Sequence, residues 1–244
     1  MEVITNCMDY LYITACQRDQ NMFEADEDGD TILHVAVIQE DVKLCEWLTR
    51  LTCGSRWLNL ANQAAQTPLH LAVITRQADI VKVLTNAGAS RDVRDSNGNT
   101  PLHIACRDSF HEIVDTLLLK KDTYTEKGNN IQNLEIRNYN GHTCLHMAAQ
   151  SSDLYTIDQL LRHGADINSR DAKSGRSILH YAADTGNRIL VEYLLQHERQ
   201  DINSVTYAGM SALGLANGRG LFEIVDILRK HGAFWEDVID TDSD

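Results

Sequence analysis

Short apolar clusters recur along this chain at a spacing far longer than the period of a helix or a strand. They occur in DGDTILHVAV (28–37), AQTPLHLAV (65–73), NGNTPLHIAC (97–106), NGHTCLHMAA (140–149), SGRSILHYAA (174–183) and AGMSALGLAN (208–217). Each cluster opens after a hydroxyl residue: Thr31, Thr67, Thr100, Thr143, Ser177 and Ser211. Thr or Ser there predicts a helix N-cap, and Pro68 and Pro101 follow at the one helical position where a missing N–H costs nothing. Further on, ADIVKVLTNAGAS (78–90), HEIVDTLLL (111–119) and FEIVDILRKHGAF (222–234) share an I-V-x-x-L spacing. That spacing places the apolar residues on one face of a second helix. Gly88, Gly164 and Gly232 stand where a helix C-terminal glycine belongs. Two residues before the cap, Gly29, Gly98, Gly141, Gly175 and Gly209 mark a tight turn, with Ala65 in that place in the second unit. Each unit therefore reads as turn, helix, short link, helix.

The caps lie 36, 33, 43, 34 and 34 residues apart. A period near 33 with T-P-L-H-x-A resembles the ankyrin repeat. The fold expected is all-α, an ankyrin-repeat solenoid of six stacked helix-turn-helix repeats. One unit cannot bury its own apolar face, but a stack can. The repeats are expected at about 27–62, 63–95, 96–138, 139–172, 173–206 and 207–236, within an array spanning 24–236. An acidic segment, 1–23, precedes the array and an acidic tail, 237–244, follows it. Val3, Ile4, Cys7, Met8, Leu11 and Tyr12 have helical spacing, which makes 1–23 a candidate capping helix. The long third interval contains Lys120–Asn130, polar enough to be a loop. The sixth repeat has Gly214 in place of the usual histidine.

Composition narrows the function. The formal net charge is −13, and it sits at the ends: residues 1–30 carry eight acids and one base, and residues 233–244 carry five acids and no base. Such a chain is repelled by nucleic acid and anionic membranes and attracts a basic partner; a tail kept only for solubility is the plainer alternative. The sequence has no apolar run long enough for a membrane helix and no signal-peptide pattern at its start, so an intracellular protein is expected. The six cysteines form no C-x-x-C pair and are expected as reduced thiols, Cys106 and Cys144 at small packing positions. His34, His70, His103, His146 and His180 recur one per unit, like Thr67 and Pro68 in theirs. They are expected to satisfy backbone groups between repeats and to bind no metal. No catalytic motif is found, so neither an enzyme nor a cofactor is expected.

Beyond the consensus, QTPLHLAVIT (66–75), RNYNGHTCLH (137–146), KSGRSILH (173–180) and VTYAGMSAL (205–213) resemble the IκB family, inhibitors of Rel/NF-κB transcription factors. LEIRNYNG (134–141) with the long third-repeat insertion is similar to the insect inhibitor of that family. The resemblance covers roughly residues 24–235. It implies a Rel-homology protein, bound as a dimer, as partner. The first two repeats would hold its basic nuclear-localisation segment, the later repeats would lie against its dimerisation domains, and the acidic tail would approach its DNA-binding surface. On that basis Glu24, Asp26, Glu27, Asp28 and Asp30, with Trp57, are candidates for the import segment; Trp47 is expected in the core. Tyr139 and Asn140 are candidates for the dimerisation domains, with turn geometry the equal alternative for Asn140. Asn217 and Arg219 are candidates for the same domains, although this chain has Asn217-Gly-Arg219 where the family often has an aromatic-Gly-Arg tip, so the large aromatic contact is missing. Glu236, Asp237, Asp240, Asp242 and Asp244 would compete with DNA phosphates.

The implied protein is cytoplasmic, with shuttling to the nucleus left open, monomeric when free, and binds neither nucleic acid nor membrane directly. The D-S-G-x-x-S phosphodegron of degradable family members is not found here. DTDSD offers only a weak acidic-kinase site at Thr241 or Ser243. Two alternatives stand beside the inhibitor: a nuclear IκB-type co-regulator of DNA-bound Rel homodimers, which KSGRSILH and LANGRGL (215–221) resemble, and an unrelated ankyrin adaptor.

Overall fold

Each recurring phrase becomes a short helix held by its own first residues. In the second repeat, Thr67 is extended (φ −86°, ψ 165°) and Pro68 begins the helix. The Thr67 hydroxyl accepts the His70 N–H at 3.4 Å, and His70 Nδ1 accepts the Thr67 N–H at 3.2 Å. With Nδ1 occupied as an acceptor, the ring proton is on Nε2. That nitrogen donates to the Asn99 carbonyl of the next repeat at 3.1 Å. The pattern repeats at His34 with the Gln66 carbonyl, His146 with Arg176 and His180 with Ser204, at 3.0, 3.1 and 3.0 Å. All four rings are fully buried. Burial lowers their pKa values from the ordinary histidine range, against the backbone hydrogen bonds that raise them; for His146 the result is about 4.

The computed structural model describes residues 24–52, 56–119 and 133–234. The N-terminal segment, the polar insertion and the tail carboxylates from Glu236 onward lie outside them. Within the described residues the chain is all-helical. The first repeat supplies α1 (Ile32–Ile38) and α2 (Val42–Thr52), followed by a 3-10 turn, Arg56–Asn59; the second supplies α3 (Pro68–Ile74) and α4 (Ala78–Ala87), and the third α5 (Pro101–Arg107) and α6 (His111–Leu118). The fourth gives α7 (Cys144–Gln150) and α8 (Leu154–Arg162), the fifth α9 (Ile178–Thr185) and α10 (Arg188–Leu195), and the sixth α11 (Ala212–Gly218) and α12 (Phe222–Lys230). None of these helices is long and apolar enough to cross a membrane.

The helices fall into two compact units, essentially the first three repeats and the last three. In the first, α1 packs on α3 in one layer, and α2 on α4 and α4 on α6 in a second. Leu33, Leu48, Leu69, Leu84, Leu102 and Leu117 are buried in this unit. In the second, α7, α9 and α11 form one layer and α10 packs on α12 in the other, around Leu145, Ile157, Leu160 and Ile178.

The first four turns are each held by a residue five positions before the helix cap. Asp26 accepts the N–H groups of Asp28 and Asp30 at 3.0 and 2.8 Å, Asn62 those of Ala64 and Gln66 at 3.1 and 2.9 Å, and Asp95 those of Asn97 and Asn99 at 2.8 Å each. Asn138 does the same for Asn140 and His142 at 3.0 Å each. Side chains that bond their own backbone in this way fix a turn locally. Neighbouring turns are then joined by backbone: Gln63 N–H to the Asp28 carbonyl at 3.0 Å and Ser96 N–H to Ala64 at 3.1 Å in the first unit. Ala172 N–H to Gly141 at 3.0 Å and Tyr207 N–H to Ser174 at 2.9 Å do so in the second. Gly141 has to be glycine, because a Cβ there would sit 2.9 Å from the Ala172 nitrogen and its φ is +86°. Ala65 adopts the same left-handed conformation, φ +57°, with a side chain.

Candidate partner-binding surfaces

In the first unit the acidic stretch divides by role. Asp26 is spent on holding its turn. Asp30 accepts the Asn62 amide at 2.9 Å, and the Glu27 carbonyl accepts the Gln63 amide. The side chains of Glu24, Glu27 and Asp28 stand exposed at the tip. The helices behind this turn carry more apolar residues than they can bury. ILHVAVI and PLHLAVI are apolar nearly all round, but each seven-residue helix has only one face against its neighbours. Val35, Ile38 and Ile74 are left 36%, 53% and 42% exposed on α1 and α3. Sequence reasoning missed these residues; the signal was an apolar side chain directly after the histidine and another three positions later. Trp57 is half-buried in the 3-10 turn, which packs on α2 and α3, and Trp47 is also half-buried.

In the second unit Tyr139 is 64% exposed at the tip of the fourth repeat. Beside it, Asn140 Oδ1 accepts the Lys173 ammonium of the next tip at 3.1 Å. Tyr207, 65% exposed, stands at the sixth-repeat tip. Asn217 and Arg219 are elsewhere, at the far end of α11, a seven-residue helix roughly 10 Å long. The structure therefore does not gather the four residues expected against the dimerisation domains into one patch. Arg219 is also engaged: its guanidinium grips Asp184 with two bonds of 2.8 and 3.1 Å, and Arg176 reaches the same carboxylate at 3.1 Å. Asn217 is exposed.

Behind the fifth-repeat turn, Asp171 is buried at 1% exposure. Burial pushes its pKa up, but hydrogen bonds from Ser174, Lys173 and Tyr181 outweigh this and hold the carboxyl far below the usual range. Tyr181 is pushed the other way, to about 12, by burial and by the Asp171 charge. Among the described residues no group of three or more His, Cys, Asp or Glu is arranged to hold a metal ion.

Paired helices that recur behind tight turns and pack on the pair of the next repeat within each unit define a protein of the ankyrin-repeat class. The ankyrin-repeat family model matches residues 4–95, 33–129, 87–171 and 145–239. The B-cell lymphoma 3 protein homolog of Mus musculus is 41% identical over 209 residues, 85% of this chain and 45% of that protein. NF-kappa-B inhibitor alpha of Gallus gallus is 43% identical over 204 residues, 83% of this chain and 63% of that protein. The p105 subunit of Gallus gallus is 33% identical, over 85% of this chain and 21% of its own length. The chain thus spans less than two thirds of each of these relatives. The crystal structure of the ankyrin repeat domain of Bcl-3, described as a unique member of the IkappaB protein family, superposes with a TM-score of 0.76 at 40% identity, covering 85% of this chain and 89% of that one. This chain belongs to the IκB family of ankyrin-repeat proteins. The relatives from Mus musculus and Gallus gallus are vertebrate proteins, so the specific likeness to the insect inhibitor rests on LEIRNYNG and the long third-repeat insertion.

Proposed function

We propose that this chain is a stoichiometric inhibitor of a Rel/NF-κB dimer: it covers the dimer's basic import segment, disfavours DNA binding and keeps the factor in the cytoplasm. The observation that carries the reading is the pairing, in the first unit, of an exposed acidic turn with an exposed apolar helix face. A basic, amphipathic segment complements both: its Lys and Arg side chains meet Glu24, Glu27 and Asp28, and its apolar residues cover Val35, Ile38 and Ile74. In the second unit Tyr139, Asn140 and Tyr207 face the dimerisation domains. The tail carboxylates Glu236, Asp237, Asp240, Asp242 and Asp244 act on the DNA-binding surface. No cofactor takes part, and the free chain is a monomer that binds neither nucleic acid nor membrane.

A second reading, the nuclear co-regulator of DNA-bound Rel homodimers, is favoured by the match to the Bcl-3 ankyrin domain and by KSGRSILH and LANGRGL. One experiment separates the two. The chain is added to a Rel homology dimer bound to a labelled κB duplex, and the anisotropy of the duplex is followed. A fall to the value of free DNA supports the inhibitor, and a rise supports the co-regulator. No change, with no capture of the dimer by the immobilised chain, refutes both.

A further inference from the structure

The fifth turn departs from the others. The turn-holding side chain lies five positions before the helix cap at Asp26–Thr31, Asn62–Thr67, Asp95–Thr100, Asn138–Thr143 and Thr206–Ser211, but six before it at Asp171–Ser177. The longer loop has more backbone to hold, and Asp171 holds it. Its Oδ1 accepts the N–H groups of Lys173 at 2.8 Å and Ser174 at 2.6 Å; its Oδ2 accepts the Ser174 hydroxyl at 2.5 Å and the Arg176 N–H at 3.1 Å. Oδ2 also accepts the hydroxyl of Tyr181, from the first turn of α9, at 3.1 Å.

Tyr181 has one hydroxyl proton, and an ionised carboxylate is an acceptor only. The proton therefore goes to Asp171. The other contact of that hydroxyl, 3.2 Å from His142 Nε2, must then be one in which His142 donates. His142 belongs to the fourth turn, where its own N–H is bonded to Asn138 at 3.0 Å. The rings around this line are ordered: His142 stacks on His146 with centroids 5.9 Å apart, and Tyr181 meets both edge-on at 6.0 and 5.9 Å. The Arg176 guanidinium lies 5.8 Å from the Tyr181 ring centroid. At the outer end of the same two turns, Lys173 reaches Asn140 at 3.1 Å.

We infer that Tyr181 is a positioning residue for partner recognition: by joining His142 of the fourth turn to Asp171 of the fifth, it holds Lys173 in register with Tyr139 and Asn140. The surface so formed has one ammonium among exposed Tyr139, Asn140 and Tyr207, and it fits a partner face with a carboxylate set among apolar side chains. The assignment rests on the reading above, in which these turns face a Rel dimer. Tyr181→Phe keeps the ring and removes only the hydroxyl.

The test measures binding of the Rel homology dimer by titration calorimetry and, in parallel, thermal unfolding. Y181F is expected to weaken binding about three- to tenfold as Lys173 and Asn140 lose their register, and to lower Tm by a few degrees, because the bond lost is one to the ionised, buried Asp171. In the Asn140→Ala/Lys173→Ala background the same substitution is expected to change affinity less than about twofold, because Tyr181 acts through those side chains. Nitrogen NMR is expected to show the His142 proton on Nε2 in wild type. Equal affinities of Y181F and wild type overturn the assignment. So does a loss that persists in the double-substituted background, which marks a general structural effect. If the wild-type chain does not bind the dimer at all, the functional reading falls and this assignment with it.

Discussion

Acidification from pH 7 to pH 5 is expected to destabilise the repeats through their buried histidines, and His146 sets the magnitude. In the folded chain its ring has no exposure, donates Nε2–H to the Arg176 carbonyl and has a pKa lowered to about 4. In the unfolded chain the same ring titrates near 6.5. Between those values the unfolded state binds a proton that the folded state does not, so stability falls as the pH drops below about 6.5. At pH 5 the unfolded ring is about 1.5 units below its pKa, worth about 2 kcal/mol for this one residue. His34, His70 and His180 are lowered in the same direction by burial and add to the loss. Asp171 does not contribute in this window. Its folded pKa is depressed, so its stabilisation persists above the unfolded value of about 3.9 and is lost only below it. The assay is urea denaturation of wild type and His146→Gln at both pH values. His146→Gln should be less stable at pH 7 but should lose less on acidification, so that the gap narrows by about 2 kcal/mol at pH 5. An unchanged gap, or a wild-type stability flat between pH 7 and pH 5, refutes the reasoning.

Ala65→Gly is expected to stabilise the second turn by about 0.5 kcal/mol, since a side chain at φ +57° costs roughly 1 kcal/mol and glycine's extra freedom when unfolded takes back part of the gain; a lower urea midpoint refutes this. Ile38→Asp with Ile74→Asp, at sites 53% and 42% exposed, should lower Tm by only a few degrees, yet weaken Rel-dimer binding more than about tenfold in calorimetry. Unchanged affinity would remove the apolar helix face from the proposed interface. Raising salt from 50 to 500 mM should weaken binding, because exposed charge pairs are screened beyond roughly 8 Å at physiological strength and less far still at 500 mM. Glu27→Gln with Asp28→Asn should flatten that dependence, and an unaltered slope would place the electrostatic contact elsewhere.

The repeats were legible in the sequence because what makes them is local. Thr67, Pro68 and His70 form one cap within four residues, and the positive φ of each turn glycine is demanded by its own turn. The turn-holding Asp, Asn or Thr, five positions before each cap except the fifth, where it is six, was equally local; it was overlooked because it reads as ordinary loop polarity. At the proposed site, the acids of the first turn were visible as a charge run, but Asp26 turned out to be spent on its own backbone.

Contacts between repeats were a different matter. Arg219 meets Asp184 from 35 residues away, and Tyr181 meets His142 from 39 residues away. Nothing at that separation reveals which side chain faces which, because every first helix has nearly the same apolar pattern. The sequence alone determined the class of fold, the register of the repeats and the acidic character of the ends, through short-range caps, turns and helix faces. Only the tertiary structure decided which apolar residues stay exposed on α1 and α3, which arginine is already paired and which turns are tied together, because stacking sets the distances between side chains that the chain itself keeps far apart.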